Sequence, residues 1–128
     1  MKDRGISWRR VMEQANADGE FRIAARFWRT RLRLDLGPES VRLTVEDGAI
    51  RAIEPCAGDG ACDVSVSGDR KCWARLLEAA PLWQDLFGAA GRGDFTIAAS
   101  EPEAFYAYYP AVRRLVDLLR QEAGAEPW

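Results

Sequence analysis

The first twenty residues have the hydrophobic period of an amphipathic helix. Apolar side chains recur with the i, i+3, i+4, i+7 spacing of one helix face at Trp8, Val11, Met12 and Ala15. Ser7 directly precedes them, and its hydroxyl is suited to accept a hydrogen bond from a free backbone N–H of the first turn. We therefore expect an N-terminal helix capped by Ser7 within residues 1–20, followed by a break at Asp18-Gly19. Residues 21–27 fit both a helix face and an alternating strand, and we favour a helical turn.

From residue 28 the apolar positions alternate with polar ones, which is the period of a strand with one buried face. Three such runs cover Trp28–Leu36, Val41–Val45 and Ala49–Glu54, and Pro55 is expected to stop the third. Between the second and third runs lies Asp47-Gly48, which suits a tight hairpin because both of its positions tolerate positive φ. The three runs therefore predict a β-meander.

A fourth strand and two helical segments are predicted next. Valine alternates with small polar residues over 63–67, as in a half-buried strand. Asp69 is placed to cap a helix, and Pro81 is placed to stop it. Segment 82–87 predicts an apolar turn or short helix that Gly88, Gly91 and Gly93 close. The apolar stripe of the capped helix comprises Trp73, Leu76, Leu77 and Ala80.

The C-terminal third predicts a short strand and a long helix. Phe95 and Ile97 mark the strand, and Ser100 with Glu103 has the form of a capping box at the start of the helix. Pro110 lies inside the apolar stripe of that helix and removes one backbone hydrogen bond, so the helix must kink or restart there. The whole order predicts an α+β fold in which helices pack on one face of a five-stranded, mostly antiparallel sheet.

Length and composition are those of one globular domain spanning residues 1–128. The chain has 48% hydrophobic and 30% charged residues and a formal net charge of -2, which argues against disorder and against disulfide-dense scaffolds. No apolar run approaches the roughly 18 residues of a membrane span. The start, Met1-Lys2-Asp3-Arg4, does not resemble a signal peptide. We therefore expect a cytoplasmic protein.

The chain contains no histidine and five tryptophans. The absence of histidine removes the usual general base at neutral pH, the commonest metal ligand and every Ser-His or Cys-His nucleophile pair. The cysteines, Cys56, Cys62 and Cys72, form no CxxC pair, so we predict neither a zinc site nor a disulfide framework. We expect no enzyme activity, no metal and no cofactor. One histidine-free alternative stays open, an isomerase or cyclase in which a tyrosine and a carboxylate transfer a proton.

Arginines are concentrated in one short stretch, at Arg22, Arg26, Arg29, Arg31 and Arg33. Strand alternation places the last three opposite the leucines, where a charged solvent face is expected. The acidic overall charge weighs against nucleic acid as a partner. The cluster leaves open, as an alternative, an anionic lipid head group or a membrane surface.

Aromatic residues cluster in segment 82–87 and at the start of the last helix. The simplest interpretation is that they fill the core between sheet and helices. The alternative is a slot between these two layers that holds an apolar guest, with the break at Pro110 as a movable lid. A polar end of such a guest is expected to meet Arg26 or Tyr106.

Several stretches carry a recognisable pattern when they are taken in order: Leu32–Gly37, Val41–Gly48, Ala61–Ser67, Leu86-Phe87 and Gly93–Ile97. Together, over about residues 28–121, they resemble the sterol carrier protein type two (SCP-2) domain family. In that family a small residue, an aspartate and alternating valines lead to a polar residue that caps the next helix. The N-terminal helix and the aromatic last helix resemble bacterial members. Two features depart from the family: Ala98-Ala99-Ser100 replaces the usual glycine at the end of the last strand, and the C-terminal residues are not a peroxisomal address.

The resemblance implies a curved five-stranded sheet with helices on one face. Between these layers it implies a hydrophobic tunnel that carries sterols, fatty acids, acyl-CoA or phospholipids without chemistry. We therefore expect the protein to bind or transfer an apolar ligand such as a fatty acid, another acyl chain or a sterol-like lipid. The predicted lining of the tunnel is Leu34, Leu43, Trp83, Leu86, Phe87, Phe105, Tyr108, Tyr109 and Val112.

Two alternatives compete with this function. In the first, the protein is an interaction or accessory module whose apolar segment 82–87 docks on a partner enzyme. The second is the histidine-free isomerase or cyclase. The sequence also leaves open a homodimer and contact with a membrane surface.

Overall fold

Five strands and the helices around them make up the part of the protein that the computed structural model describes, residues 6–56, 61–77, 86–91 and 93–124, without the side chains of residues 87–89 and 124. The strands are β1 (Arg29–Leu36), β2 (Ser40–Glu46), β3 (Ala49–Pro55), β4 (Val64–Gly68) and β5 (Thr96–Ala99). The helices are α1 (Trp8–Ala17), α2 (Gly19–Ala24), α3 (Arg70–Leu76), α4 (Leu86–Gly91), α5 (Pro102–Ala107) and α6 (Tyr109–Gly124).

The strands form one sheet in the order β3-β2-β1-β4-β5. Neighbours are antiparallel except for the pair β1 and β4, which run parallel. The chain makes a meander from β1 to β3 and then crosses to the other side of β1. Asp47 and Gly48 have φ values of 48° and 85°, as a tight hairpin between β2 and β3 requires. The predicted five-stranded, mostly antiparallel sheet is confirmed.

The inner face of the sheet is apolar because the strands keep the predicted alternation. Leu32 on β1 pairs with Leu43 on β2 and with Val64 on β4, and all three side chains are buried. Helices cover this face: α1 packs on β3, and α6 packs on both α1 and α2. The predicted arrangement of helices on one face is therefore confirmed, and burial of these apolar side chains is what holds the layers together.

Aspartate side chains cap two of the helices. The Asp69 carboxylate accepts a hydrogen bond from the Cys72 N–H at 2.9 Å at the start of α3, as the sequence predicts. The Asp18 carboxylate accepts from the Phe21 N–H at 2.7 Å and so starts α2, which is the helical turn favoured for this region. Ser7 occupies the N-cap position of α1, but its side chain makes no cap hydrogen bond. The predicted position of Ser7 as the N-cap is therefore confirmed, whereas the expected side-chain hydrogen bond is not formed.

The predicted capping box before the last helix is wrong. Glu101, rather than Ser100, is the N-cap of α5, and it makes no side-chain cap hydrogen bond. Ser100 directly follows β5, and its N–H donates instead to the Asp63 carbonyl at 2.8 Å. The restart predicted at Pro110 is confirmed, since α5 and α6 are separate helices. Pro110 lies in the first turn of α6, where its missing N–H has no intrahelical partner to lose.

Other boundaries differ by a few residues. Of the three glycines predicted to close segment 82–87, Gly88 lies inside α4 and Gly91 is its last residue, which agrees with the high helix propensity of the two alanines between them. β3 ends at Pro55, within one residue of the predicted end, and an edge strand tolerates proline at this position. α3 ends at Leu76, with Leu77 as its C-cap, which is earlier than the predicted stop at Pro81; Ala80 and Pro81 themselves lie outside the described residues.

Arg114 on α6 holds the junction between α1 and α2. Its Nε and Nη2 atoms donate to the two carboxylate oxygens of Asp18 at 3.0 and 2.8 Å. These hydrogen bonds hold the pKa of Asp18 below its usual range; burial opposes them, and the bond from the Phe21 N–H adds to them. The pair joins segments that are 96 positions apart in the sequence.

We expect Asp18→Asn to lower the free energy of unfolding by about 1 kcal/mol at neutral pH, because the amide loses the charge-assisted bonds to Arg114. The pKa of Asp18 is lower in the folded than in the unfolded chain. Its stabilising effect is therefore complete above the unfolded pKa, about 3.9, and is lost as the pH falls through the folded pKa. The difference between wild type and variant in urea unfolding should thus shrink at acidic pH, and a constant difference would contradict this.

Candidate ligand-binding site

Two cavities lie on either side of α5. The larger, of about 590 Å³, lies between α4, α5 and β5, and we call it the apolar cavity. Ile97 and Ala99 contribute from the inner face of the sheet, because they pair with Val66 and Val64 of β4. The cavity therefore lies between sheet and helices. Its other lining residues are Ala90, Gly91, Phe95, Pro102, Phe105 and Tyr106.

The smaller cavity, of about 380 Å³, lies at the end of the sheet where β1 and β4 begin. We call it the polar cavity, because charged and hydroxyl side chains line it beside the aromatic rings of Trp28, Phe105 and Tyr108. Phe105 lines both cavities, so its ring forms the wall between them. The polar side chains are Arg29, Thr30, Asp63, Ser100 and Glu101.

Aromatic packing fixes the break between α5 and α6. Tyr108 stacks on the buried Trp28 ring, with centroids 5.1 Å apart and planes 9° from parallel. Phe105 meets Tyr109 edge-on, with centroids 6.0 Å apart. Such aromatic pairs contribute about 0.5–1.5 kcal/mol beyond the burial of their area. The wall between the two cavities is therefore held by its neighbours on both helices.

The structure brings part of the predicted lining to these cavities. Phe105 lines both, and Tyr108 lines the polar cavity. Leu34, Leu43 and Val112 are buried in the core and line neither of the two. Their predicted place in a ligand tunnel stays a prediction.

Of the remaining predicted residues, two pack in or against the core, and the side chains of the other two are not described. Leu86 is buried at the start of α4, and Tyr109 is half-buried against the core. Trp83 and the side chain of Phe87 lie outside the described residues. Their role as lining residues stays a prediction.

The two polar contacts predicted for a guest lie apart. Tyr106 lines the apolar cavity and is 65% exposed, so its ring faces the cavity mouth and water together. Arg26 stands over the ring of Phe27 at 4.7 Å from its centroid and lines neither cavity.

Sequence reasoning missed the contribution of β5. The alternation at Phe95 and Ile97 predicts a strand, but it does not show that helices leave part of its inner face uncovered. The available signal is size: Ala99 on β5 and Ala90 and Gly91 of α4 all line the apolar cavity and are small. Small side chains on facing elements leave volume that larger ones would fill.

The outer face of the sheet is a set of paired charges. The Arg31 guanidinium lies 3.3 Å from Asp63, and Arg33 lies 2.8 Å from Asp35. The structure therefore places Arg31 and Arg33 on the charged outer face, as the alternation of β1 predicts. Two further pairs, Arg42–Glu54 and Arg51–Glu46, extend it across β2 and β3.

These contacts lower the pKa values of Asp63 and Asp35. Hydrogen bonding from Arg31 lowers the pKa of Asp63. Burial alone would raise the pKa of Asp35, but hydrogen bonds from Ser40, Arg33 and Ser67 together hold it below its usual range. Both carboxylates are therefore ionised and engaged at neutral pH.

The cysteines and acidic residues form no recognisable metal centre in the described part of the chain, where no three potential ligands come together. Cys56, Cys62 and Cys72 are free thiols, and burial raises the pKa of Cys72. Among the described helices, none has the length and apolar character needed to cross a membrane.

Solved structures share this fold. A crystal structure of sterol carrier protein 2 matches with a TM-score of 0.78 and 23% identity over 94% of this chain and 99% of that one. A conserved hypothetical protein from Thermus thermophilus, a candidate sterol carrier protein, matches with a TM-score of 0.72 and 23% identity over 94% and 90% of the two chains. The UbiJ-SCP2 ubiquinone synthesis protein matches with a TM-score of 0.54 and 15% identity over 87% and 93%.

No protein-family model matches the sequence, and no curated protein is significantly similar to it. The likeness therefore lies in the fold, and a fold does not by itself specify a ligand. Nearly the whole of this chain takes part in the superposition on sterol carrier protein 2, as the resemblance of the sequence implies. The chain has the fold of sterol carrier protein 2.

Proposed function

We propose that the protein binds an apolar or acyl-chain ligand in the apolar cavity and transfers it without chemistry. The cavity itself carries the proposal: its volume of about 590 Å³ lies within the usual range for small-molecule sites. It lies between the inner face of β5 and the helices, and most of the side chains that line it are apolar. A fatty acid, another acyl chain or a sterol-like lipid belongs to the class of ligand that fits such surroundings.

The ends of the cavity suit an amphiphile. Tyr106 is mostly exposed and presents a ring to the ligand and a hydroxyl to water. Behind Phe105, the polar cavity offers the Arg29 guanidinium and the Thr30 hydroxyl to the polar end of a longer ligand. A ligand of that length requires the Phe105 ring to rotate.

The charges beside Tyr108 favour binding over catalysis. Asp63 shares the polar cavity with this tyrosine, as a histidine-free isomerase requires. Its pKa is lowered by Arg31, which makes the carboxylate a weaker base, whereas a general base works best with a pKa near the working pH.

A role as an accessory module beside an enzyme is a second proposal. It is supported by the similar structure of the UbiJ-SCP2 ubiquinone synthesis protein. The two proposals are compatible, because a module that holds an apolar ligand can present it to an enzyme. A homodimer and a cytoplasmic location stay predictions of the sequence.

The first test is to extract the purified protein with organic solvent and to identify the extracted lipids by mass spectrometry. We expect a lipid in stoichiometric amount, or binding of a fluorescent fatty acid such as cis-parinaric acid to the protein after extraction. Absence of both would contradict the proposal.

Two adjacent alanines of β5 provide a matched test of the site. Ala99 lines the apolar cavity, whereas Ala98 is exposed on the opposite face of the strand. We expect Ala99→Phe to fill the cavity and to weaken binding of cis-parinaric acid by about 10-fold or more, since overpacking costs about 1–3 kcal/mol. Ala98→Phe should bind as the wild type does. Equal affinities of the two variants would place the ligand elsewhere.

A further inference from the structure

Two large apolar side chains are exposed at the end of α2. Ile23 is 74% exposed and Phe27 is 71% exposed. Both border an open groove of about 540 Å³, with Arg22 and Arg26 beside them. We call Arg22, Ile23, Arg26, Phe27 and Arg29 the α2 tip.

The backbone at the α2 tip is held in a conformation that disfavours a bulky side chain. Phe27 has φ of 71°, in the left-handed region where a residue with a Cβ costs about 1–2 kcal/mol. The Asp47 carboxylate accepts a hydrogen bond from the Phe27 N–H at 2.9 Å. The following Trp28 N–H donates to Ala25 at 3.0 Å, and the Asp47 N–H donates to Trp28 at 2.8 Å. The strain therefore persists because the surrounding bonds fix the loop, and it presents an aromatic ring to solvent.

The arginines of the α2 tip differ from those of the outer face. Arg22, Arg26 and Arg29 have no acidic partner within the described part of the chain, whereas Arg31 is paired with Asp63. Arg26 instead packs on the Phe27 ring. The α2 tip is therefore a local excess of positive charge on a protein whose formal net charge is -2.

The nearby carboxylates do not cancel this charge through ion pairs. The charge of Glu20, which precedes the tip on α2, helps to raise the pKa of Arg114 on α6. Asp47 uses one oxygen for the Phe27 N–H and keeps the loop in place. Both lower the net potential of the region, so the excess is at most that of three guanidinium groups.

We propose that the α2 tip docks on the surface of an anionic lipid bilayer. Ile23 and Phe27 would enter the interface, where apolar side chains gain from burial at the boundary of head groups and acyl chains. The three guanidinium groups would pair with lipid phosphates, and each basic residue near such a surface contributes about 1 kcal/mol. The charge complementarity selects an anionic bilayer over a neutral one.

Docking in this way also orients the binding site. Phe27 and Arg29 belong both to the α2 tip and to the lining of the polar cavity. The end of the sheet at which this cavity opens would then face the membrane. The α2 tip shares Phe27 and Arg29 with the polar cavity but includes no residue that lines the apolar cavity.

The test uses the full-length protein and vesicles of two compositions, pure phosphatidylcholine and phosphatidylcholine with a third of phosphatidylglycerol. Co-sedimentation should show binding to the anionic vesicles that is about 100-fold stronger than to the neutral ones and that falls with added salt. Replacing Arg22, Arg26 and Arg29 together by glutamine should remove this preference. Arg51→Gln, which alters a paired arginine of the outer face, is the control and should retain it.

Phe27→Gly separates docking from folding. Glycine adopts positive φ without strain, and the lost ring is mostly exposed, so the variant should unfold at a urea concentration no lower than the wild type. Its binding to anionic vesicles should nonetheless fall several-fold. Wild-type levels of vesicle binding by Phe27→Gly would overturn the proposal.

Three other results would also overturn it. One is equal binding of the wild type to both kinds of vesicle, and another is no binding to either. The third is a dimer in sedimentation equilibrium that Phe27→Gly dissociates, because the α2 tip would then be a contact between two copies of this chain. Binding of cis-parinaric acid is measured separately, so failure of docking and failure of the ligand proposal are distinguishable.

Discussion

Replacing Trp73 by alanine is expected to lower the free energy of unfolding by about 3–5 kcal/mol, the usual range for truncating a buried large aromatic residue. The Trp73 side chain is only 1% exposed and packs edge-on against Phe95, with centroids 5.0 Å apart and planes at 84°. Its Nε1–H donates to the Asp35 carbonyl of β1 at 2.7 Å. Trp73 thereby ties α3 to the central strand and to the segment before β5. Urea unfolding followed by far-UV circular dichroism measures the loss.

Trp73→Phe separates the contribution of the buried ring from that of the Nε1–H hydrogen bond. It keeps most of the buried ring and removes the N–H donor, so the Asp35 carbonyl loses its partner at a cost of about 1–3 kcal/mol. We expect its stability to lie between those of the wild type and Trp73→Ala. If Trp73→Ala unfolded like the wild type, the packing of α3 described above would be incorrect.

Gly68→Ala is the second substitution with a large expected effect, a loss of about 2 kcal/mol. A Cβ at Gly68 would lie 2.5 and 2.6 Å from two ring carbons of Phe95 and 3.1 Å from the Asp94 carbonyl oxygen. Phe95 is buried and is held by Trp73, so its ring cannot turn aside without losing that contact. The glycine at the end of β4 is therefore required for close packing rather than for backbone conformation.

Gly19→Ala is the matched control for this substitution. A Cβ at Gly19 would meet no heavy atom within 4 Å, and alanine has the higher helix propensity. Its urea midpoint should equal or exceed that of the wild type. Similar losses from Gly68→Ala and Gly19→Ala would show that the Phe95 ring does not restrict position 68.

Most of the strands could be predicted because their signals are local. The alternation from Arg29 to Leu36 determines which side of β1 faces the helices, and Asp47-Gly48 determines the hairpin. The same reasoning explains the cap at Asp69. Each of these features depends on residues that are close together in the sequence. A short stretch of sequence is therefore enough to predict it.

Features that depend on distant partners could not be predicted in this way. Nothing local indicates that β4 runs parallel to β1 or that Arg114 binds Asp18. Ser100 shows how a distant contact can override a local pattern. Its sequence pattern is that of a capping box, but its backbone N–H donates to the carbonyl of Asp63, which directly precedes β4. A tertiary contact of this kind is invisible in a pattern of four residues.

The candidate site was predicted only in part for the same reason. Phe105 and Tyr108 are recognisable as large rings beside a helix break. The cavity itself results from small side chains on β5 and α4, and space between elements that are not adjacent in the sequence leaves no periodic signal. The arginines likewise look alike in sequence, and only the structure separates Arg29, at the α2 tip, from the paired Arg31.

The hydrogen-bonded pair of Asp18 and Arg114 has a consequence for how the protein is made. During synthesis, α1, α2 and the meander leave the ribosome long before α6, whose apolar face covers the two N-terminal helices. Closing so long a loop is entropically costly, and such non-local contacts slow folding. The faces of α1 and α2 that α6 covers therefore stay open to other apolar surfaces until α6 has emerged, and this nascent state is the one most prone to aggregation.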